Sequence, residues 1–293
     1  MAAGLARRDR RFGLVMAGPG LAAMLGVILF PLLFTSWTSL YEFTLLRPVH
    51  DVFVGLGNFA ATLQDKDFRH ALRVTLAFVL AVVLLEFLVG LGVALALDSV
   101  RRGRAIYYAI LLCPLLMNPV VVGLIWRMFL HPTQGIVNYV IGLIGIPAVN
   151  WLGDPAVAFW TLVAVDIWHQ VSFMVVLLLA GLAALPPEPY EAARMEGAGP
   201  LRAFIWITLP LLRPVITVTL LIRLIFAVRT YDLVYIMTRG GPGNATDLVS
   251  YFIYRQAFVT LNLGRAAAMS LVLLAVVLLL TAWLHRYMRS LRA

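Results

Sequence analysis

Apolar residues occur along the chain in six long runs, and short polar segments separate these runs. The runs cover 13–40, 71–97, 105–130, 157–185, 211–237 and 265–284. An α-helix needs about 20 apolar residues to cross a hydrocarbon core about 30 Å thick, and every run reaches that length. The pattern therefore predicts an all-α, polytopic membrane protein with six transmembrane helices.

The composition agrees with a membrane protein. Hydrophobic residues make up 62% of the 293 residues, charged residues only 13%, and the mean hydropathy is +0.94. A water-soluble domain needs a more polar surface than this. The net charge of +9 could indicate nucleic-acid binding, but the arginines lie in short segments beside the apolar runs, as in bilayer proteins. The first run is too long for a secretory signal, so we expect a retained first helix.

The distribution of basic residues predicts the orientation of the spans. Alternate polar segments are rich in arginine, and these arginines are Arg7, Arg8, Arg10, Arg11, Arg101, Arg102, Arg104, Arg194, Arg202, Arg286, Arg289 and Arg292. The intervening segments hold fewer basic residues, namely Arg47, Lys66, Arg69, Arg239 and Arg255. By the positive-inside rule, both termini face the cytoplasm. This predicts cytoplasmic tails at 1–12 and 286–293 around a transmembrane domain at 13–285.

A polar segment, "LPPEPYEAARMEGAGPLRAFIWITLP", lies between the fourth and fifth runs. Its prolines cannot continue the fourth helix, so a short helix is expected to start at Tyr190. Gly197 should break that helix, and a second short helix should follow and end at Pro210. The residues alone are compatible with a plain re-entrant connection and with a docking surface.

The spacing of this segment resembles a known motif. Glu191-Ala192-Ala193, then Gly197, Ile207 and Leu209-Pro210 are similar to the EAA loop in membrane subunits of binding-protein-dependent ATP-binding-cassette (ABC) importers. The resemblance implies the type I ABC importer transmembrane-domain fold, with a coupling loop at 186–210 that docks into a separate cytosolic ATPase dimer. The coupling residues that it implies are Glu191, Ala192, Ala193, Arg194, Glu196 and Gly197.

A second resemblance concerns the cargo. The stretch "RTYDLVYIMTRGGPGNATDLVSYFIYRQAF" at 229–258 is similar to the carbohydrate-uptake subfamily, which is related to the maltose, trehalose and glycerol-phosphate permeases. It implies a multi-pass subunit of a bacterial cytoplasmic (inner) membrane importer. The implied partners are a second permease in a heterodimer, an ATPase dimer and an extracytoplasmic solute-binding protein that loops 55–68 and 240–247 would face. An importer of amino acids, peptides or glycerol phosphate, and an ATPase-independent secondary transporter, remain alternatives.

The motifs of an enzyme are missing from the sequence. Lys66 is its single lysine and has no glycine-rich stretch before it, so the chain has no P-loop. It also has no H-E-x-x-H, C-x-x-C or G-x-S-x-G, and its five histidines are scattered. We therefore expect a transport subunit without catalytic residues, metal ligands or a cofactor of its own. In the resembling family, ATP and Mg are bound by the partner ATPase.

Ionisable residues inside the apolar runs are candidates for function, because burying them in a membrane is costly. Asp166, His169 and Gln170 share one helical face, and Arg229 can meet Asp232 at a spacing of three. These groups could be structural ion pairs, and Glu86 has no evident polar neighbour. Alternatively, a water-filled substrate path is lined by Asp166, Gln170, Arg229, Tyr231 and Asp232. Arg223 and Arg229 could bind a phosphate or sulfonate, but the residues do not decide between neutral and anionic cargo.

Overall fold

The computed structural model describes residues 2–46, 52–100 and 102–290 and is mainly helical. Its first half contains α1 (Ala2–Thr38), β1 (Tyr41–Glu42), β2 (Val52–Phe53), α2 (Gly57–Gln64), α3 (Lys66–Ser99), α4 (Arg104–Leu115), α5 (Pro119–Phe129) and α6 (Ile136–Leu143). Its second half contains α7 (Pro155–Ala183), α8 (Glu188–Met195), α9 (Pro200–Ala203), a π-helical turn (Phe204–Thr208), α10 (Leu209–Val228), α11 (Asp232–Met237), α12 (Val249–Phe258) and α13 (Leu263–Ser290). Arg47, Arg101 and Arg292 of the charge-asymmetry prediction lie outside the described residues.

Five helical segments of the described chain are long and apolar enough to cross a membrane. They are Met16–Thr38, Lys66–Ser99, Pro155–Ala183, Pro200–Met237 and Leu263–Trp283. The third apolar run differs from the prediction of one continuous helix, because α4 and α5 meet at a bend of 91°. The number of candidate spans rises to six when this bent pair counts as one span.

The bend in the third run has a local cause at Asn118. The proline that follows keeps Asn118 in an extended conformation, with φ −65° and ψ 133°. The Asn118 side chain then accepts a hydrogen bond of 2.9 Å from the N–H of Val120 and caps α5. Proline suits the first position of a helix, since its missing N–H is not needed there. Helix α5 therefore starts anew at Pro119.

The polar segment 185–210, which we call the elbow, was predicted to end as a helix at Pro210, and this prediction is wrong. Helix α9 continues through the π-helical turn into α10, so the second helix of the elbow and the span form one helical element. In this turn the N–H of Leu209 donates to the carbonyl of Phe204, five residues earlier. This shift of hydrogen bonding lies directly before Pro210, which has no N–H to donate. The chain thus passes the proline without ending the helix.

The chain divides into two units, and the larger comprises the described parts of Lys66–Phe252 and Val276–Ala293. Helices α3, α7 and α10 pack together in it around an apolar cluster that includes Leu91, Met174 and Leu212. Gly90 allows close packing of α3 on α7, because a Cβ atom there would lie 2.7 Å from Cγ of Met174. This three-helix core positions the polar residues of the candidate site.

The smaller unit comprises the described parts of Met1–Asp65 and Ile253–Ala275. Strands β1 and β2 pair antiparallel, and the N–H of Gly264 donates to the carbonyl of Phe43 at 3.0 Å. Arg265 forms an ion pair of 2.6 Å with Asp65. Apolar side chains of α1 are largely exposed, including Val27 at 75% and Phe30 at 71%. Such exposure is expected where lipid or another membrane helix surrounds the segment.

Candidate functional site: a polar cavity and an exposed elbow

Three charged side chains meet inside the core where α3, α7 and α10 cross. Glu86, Asp166 and Arg223 are 0%, 3% and 1% exposed. Arg223 holds Glu86 through two hydrogen bonds, of which the one from Nη2 to Oε1 measures 2.9 Å, and Nη2 also donates to Asp166 Oδ2. The interpretation that Glu86 has no polar neighbour is therefore wrong. Its partner lies 137 residues away along the chain, so local spacing could not reveal it.

This ion triad, Glu86–Arg223–Asp166, ties three helices together at one point. A buried charge is tolerated when an opposite charge and hydrogen bonds compensate for the lost water. Here one guanidinium compensates for two carboxylates, so Arg223 is essential to both. The alternative of structural ion pairs thus describes Glu86 and Arg223, whereas Asp166 also reaches a neighbouring cavity.

The cavity has a volume of about 140 Å³ and lies among α5, α7, α10 and α11. It is lined by Pro119, Asp166, His169, Gln170, Phe226, Arg229, Thr230, Tyr231, Asp232 and Leu233. All five residues predicted to line a substrate path are among them. The structure therefore brings these five side chains to one place, two from α7 and three from the junction of α10 and α11.

The break between α10 and α11 supplies much of the polar lining. Arg229 follows the last residue of α10, and Asp232 is the first residue of α11. The expected contact of Arg229 with Asp232 is wrong, because no ion pair joins them among the described residues. A spacing of three brings side chains together only within a continuous helix, and the helix ends between these two. Both groups are consequently available to a molecule in the cavity.

His169 connects the cavity to the bend in the third run. The Gln170 amide nitrogen lies 3.1 Å from His169 Nδ1, and His169 Nε2 lies 3.1 Å from the carbonyl of Met117. Because an amide nitrogen only donates, Nδ1 accepts and Nε2–H donates to the carbonyl. His169 thereby holds the segment between α4 and α5 against α7. This role was not evident from the sequence, since Met117 is apolar and contributes only its backbone.

The first helix of the elbow, α8, is exposed and ends in a well-defined turn. No residue of α8 is buried, and Met195 is 89% exposed. Gly197 has φ +76°, and the N–H groups of Gly197 and Ala198 donate to the carbonyls of Arg194 and Ala193 at 3.1 and 2.9 Å. This pair of bonds is a Schellman motif, in which glycine adopts the left-handed conformation. The predicted helix break at Gly197 is confirmed, and the helix begins at Glu188 rather than Tyr190.

One face of the elbow is attached to the π-helical turn. The Tyr190 hydroxyl donates to Thr208 Oγ1 at 3.0 Å, and Thr208 is buried in that turn. The residues Glu191, Ala192, Arg194 and Glu196 are exposed, while Ala193 is partly buried. Sequence reasoning missed Tyr190, because its partner is 18 residues away. The elbow can thus offer charged and small side chains outward while it remains bonded to the span.

The family model described as "Binding-protein-dependent transport system inner membrane component" matches residues 87–292. The trehalose/maltose transport system permease protein MalF of Thermococcus litoralis is 38% identical over 88% of this chain and 85% of its own length. The sulfoquinovosyl glycerol transport system permease protein SmoG of Agrobacterium fabrum is 33% identical over 96% and 92%. The sn-glycerol-3-phosphate transport system permease protein UgpA of the same species is 33% identical over 90% and 92%.

Solved structures show the same architecture. A chain of a bacterial ABC transporter involved in the import of the acidic polysaccharide alginate superposes with a TM-score of 0.83. The superposition covers 98% of both chains at 24% sequence identity. This likeness shows the fold and confirms the predicted type I ABC importer architecture.

Proposed function

Because the chain belongs to the family of inner membrane components of binding-protein-dependent transport systems, we propose that it forms half of the path for a carbohydrate in an ATP-driven importer. The polar cavity carries this proposal, since the five predicted path residues meet there. The names of the relatives add support, because they refer to trehalose, maltose, sulfoquinovosyl glycerol and sn-glycerol 3-phosphate.

The cavity offers groups that suit a hydroxylated cargo. Asp166 and Asp232 accept hydrogen bonds, Arg229 donates them, and Gln170 does both. Its volume of about 140 Å³ is below the range of about 300–1,000 Å³ that is usual for ligand pockets. A sugar therefore passes only when the surrounding helices move apart, as in transporters that alternate between two conformations.

The exposed elbow is the proposed site of coupling. Ala192 and Ala193 allow a partner surface to approach closely, while Glu191, Arg194 and Glu196 supply charges at the rim. Motion of α8 would pass through the bond between Tyr190 and Thr208 to the π-helical turn and on to α10. In this proposal an ATPase dimer binds ATP and Mg and moves the elbow. A second permease and an extracytoplasmic binding protein complete the importer in the bacterial inner membrane.

The proposed orientation predicts a labelling pattern. Cys113 is the single cysteine and is exposed, so Cys113→Ser provides a background for single-cysteine variants. In intact cells, Arg102→Cys and Glu196→Cys should resist a membrane-impermeant thiol reagent, whereas Asn244→Cys should react with it. Reaction at Arg102→Cys or Glu196→Cys before the cells are opened would contradict cytoplasmic placement of the elbow and both termini.

The proposed path predicts a loss of transport without a loss of assembly. Asp232→Ala and Gln170→Ala should each reduce uptake about 10-fold or more, since each removes a hydrogen bond worth about 1–3 kcal/mol to the cargo. Asp166→Ala is a less direct test, because it also breaks the ion triad. The measurement is uptake in cells, with co-purification of the partner subunits as the assembly readout.

Gln134→Ala provides the matched control, because Gln134 is exposed and lies outside the cavity. It should transport normally. If Asp232→Ala and Gln170→Ala also transported normally in assembled complexes, these residues would not line the path.

A further inference from the structure

We infer that the cavity selects a neutral, polyhydroxylated carbohydrate over one that carries a phosphate, sulfonate or carboxylate. The inference rests on the proposed function, since it assumes that cargo passes through the cavity. The names of the relatives leave the charge open, because trehalose is neutral and glycerol 3-phosphate is anionic. The distribution of charge around the cavity supports the neutral class of cargo.

Arg223 is not available to an anion. Its guanidinium is buried, and its Nε and Nη2 atoms already donate to Glu86 and Asp166. An anionic cargo would have to displace one of these carboxylates and leave it buried without a partner, which is unfavourable. Otherwise the cargo would become a third negative charge beside a single guanidinium. From the sequence, both Arg223 and Arg229 were candidates to bind an anion. The structure excludes Arg223, because its guanidinium is already paired.

Arg229 lines the cavity without an ion pair to any described residue, but two carboxylates line the same cavity. Asp232 lines the same cavity, and so does Asp166 of the ion triad. Among the described residues that line the cavity, Asp166 and Asp232 are acidic and Arg229 is the one arginine, while Arg223 outside the lining is held by Glu86 and Asp166. An entering anion therefore meets an excess of negative charge.

Two further arginines, Arg127 and Arg239, are exposed and do not line the cavity. Arg127 donates to the carbonyl of Ile236 at 3.0 Å, and the Arg239 guanidinium lies 6.0 Å from the centre of the Tyr235 ring. The N-terminus of α11 carries Asp232 at its first position, and this carboxylate occupies the place where a helix favours negative charge. Anion sites in proteins instead present arginines or helix N-termini without carboxylates beside them, whereas Arg229 shares the cavity with Asp166 and Asp232.

The remaining groups suit a neutral sugar. Hydroxyl groups can donate to Asp232 and accept from Arg229 or Gln170, so both signs of charge are useful to the same molecule. Tyr231 stacks on Tyr235 with ring centres 5.5 Å apart, and the Tyr251 ring centre lies 6.3 Å from that of Tyr231. Tyr231 is the member of this stack that lines the cavity, and a tyrosine hydroxyl can both donate to and accept from the hydroxyls of a sugar.

The charge of the cavity can be measured with thiol reagents of similar size. We would introduce Thr230→Cys, which lines the cavity, in the Cys113→Ser background of the complete importer in lipid nanodiscs. The probes are 2-sulfonatoethyl methanethiosulfonate, which is anionic, and 2-hydroxyethyl methanethiosulfonate, which is neutral. Rates are normalised to those of exposed Asn244→Cys, which corrects for the intrinsic reactivity of each reagent.

We expect the normalised rate of the anionic reagent to be at least about 10-fold below that of the neutral reagent, since like charges repel strongly where water is scarce. Adding Asp232→Asn should reduce this difference several-fold. Equal rates, or a faster anionic reagent, would overturn the inference of neutral selectivity. The proposed function is tested by a different measurement, which is uptake in proteoliposomes. If complete modification of the Thr230→Cys thiol left this uptake unchanged, the cavity would not be on the path.

Discussion

Arg223→Met is expected to lower the free energy of unfolding by about 3–5 kcal/mol, because it leaves Glu86 and Asp166 buried without their shared partner. Methionine retains much of the length of arginine, so lost packing contributes little. The effect should appear as a large fall in the thermal unfolding temperature of the purified complex in detergent, measured by fluorescence-detected size-exclusion chromatography. Uptake should fall in parallel, since α3, α7 and α10 lose their polar connection.

Arg213→Met is the matched control, since Arg213 lies on the same helix and is exposed. Its effect should stay within about 0.5 kcal/mol. Neutralising both carboxylates by Glu86→Gln and Asp166→Asn should restore part of the stability of Arg223→Met, because no uncompensated charge then remains. If Arg223→Met unfolded at the same temperature as Arg213→Met, the ion triad would not stabilise the core.

Gly197→Val is expected to uncouple the importer by distorting the end of the elbow helix. A β-branched residue at φ +76° is strained by about 1–3 kcal/mol. That strain corresponds to a change of about 5- to 150-fold in the equilibrium for docking. Retention of the ATPase subunits during purification should fall accordingly, and so should the stimulation of ATP hydrolysis by loaded binding protein.

Gly199→Val separates backbone strain from side-chain bulk. A Cβ atom meets nothing within 4 Å at either glycine, but Gly199 has φ −74°, which valine adopts readily. Gly199→Val should therefore retain the ATPase and its stimulation. The coupling proposal would be wrong if Gly197→Val complexes, with both permeases present, behaved in the same way as Gly199→Val complexes.

The features that the sequence predicted well are those that depend on neighbouring residues. The apolar runs have the length of a span, and the Gly197 turn follows from the intolerance of other residues for its backbone conformation. The bend before Pro119 could also have been predicted, since Pro114 and Pro119 lie within the third run. A hydropathy pattern alone does not reveal it. The second elbow helix was predicted to end at Pro210, because a proline interrupts the regular hydrogen bonding of an α-helix.

The features that the sequence could not predict depend on contacts between distant residues. Arg223 pairs with residues 57 and 137 positions away, and no local pattern indicates which of several arginines is the partner. The five residues that were predicted to line a path meet at one cavity, because polar side chains in apolar spans tend to face inward. Their division into paired and available groups required the fold. That division is what separates Arg223 from Arg229.

The ion triad also constrains how this permease can change over evolutionary time. A single substitution at Glu86, Asp166 or Arg223 changes the charge balance of the two residues that remain. The effects of substitutions at these positions are therefore not additive. Lineages that lose the arginine should therefore have lost the carboxylates as well, through steps in which a carboxylate is neutralised first. In a deep comparison of relatives, residues 86, 166 and 223 are expected to vary together, whereas Arg213 should vary independently of all three.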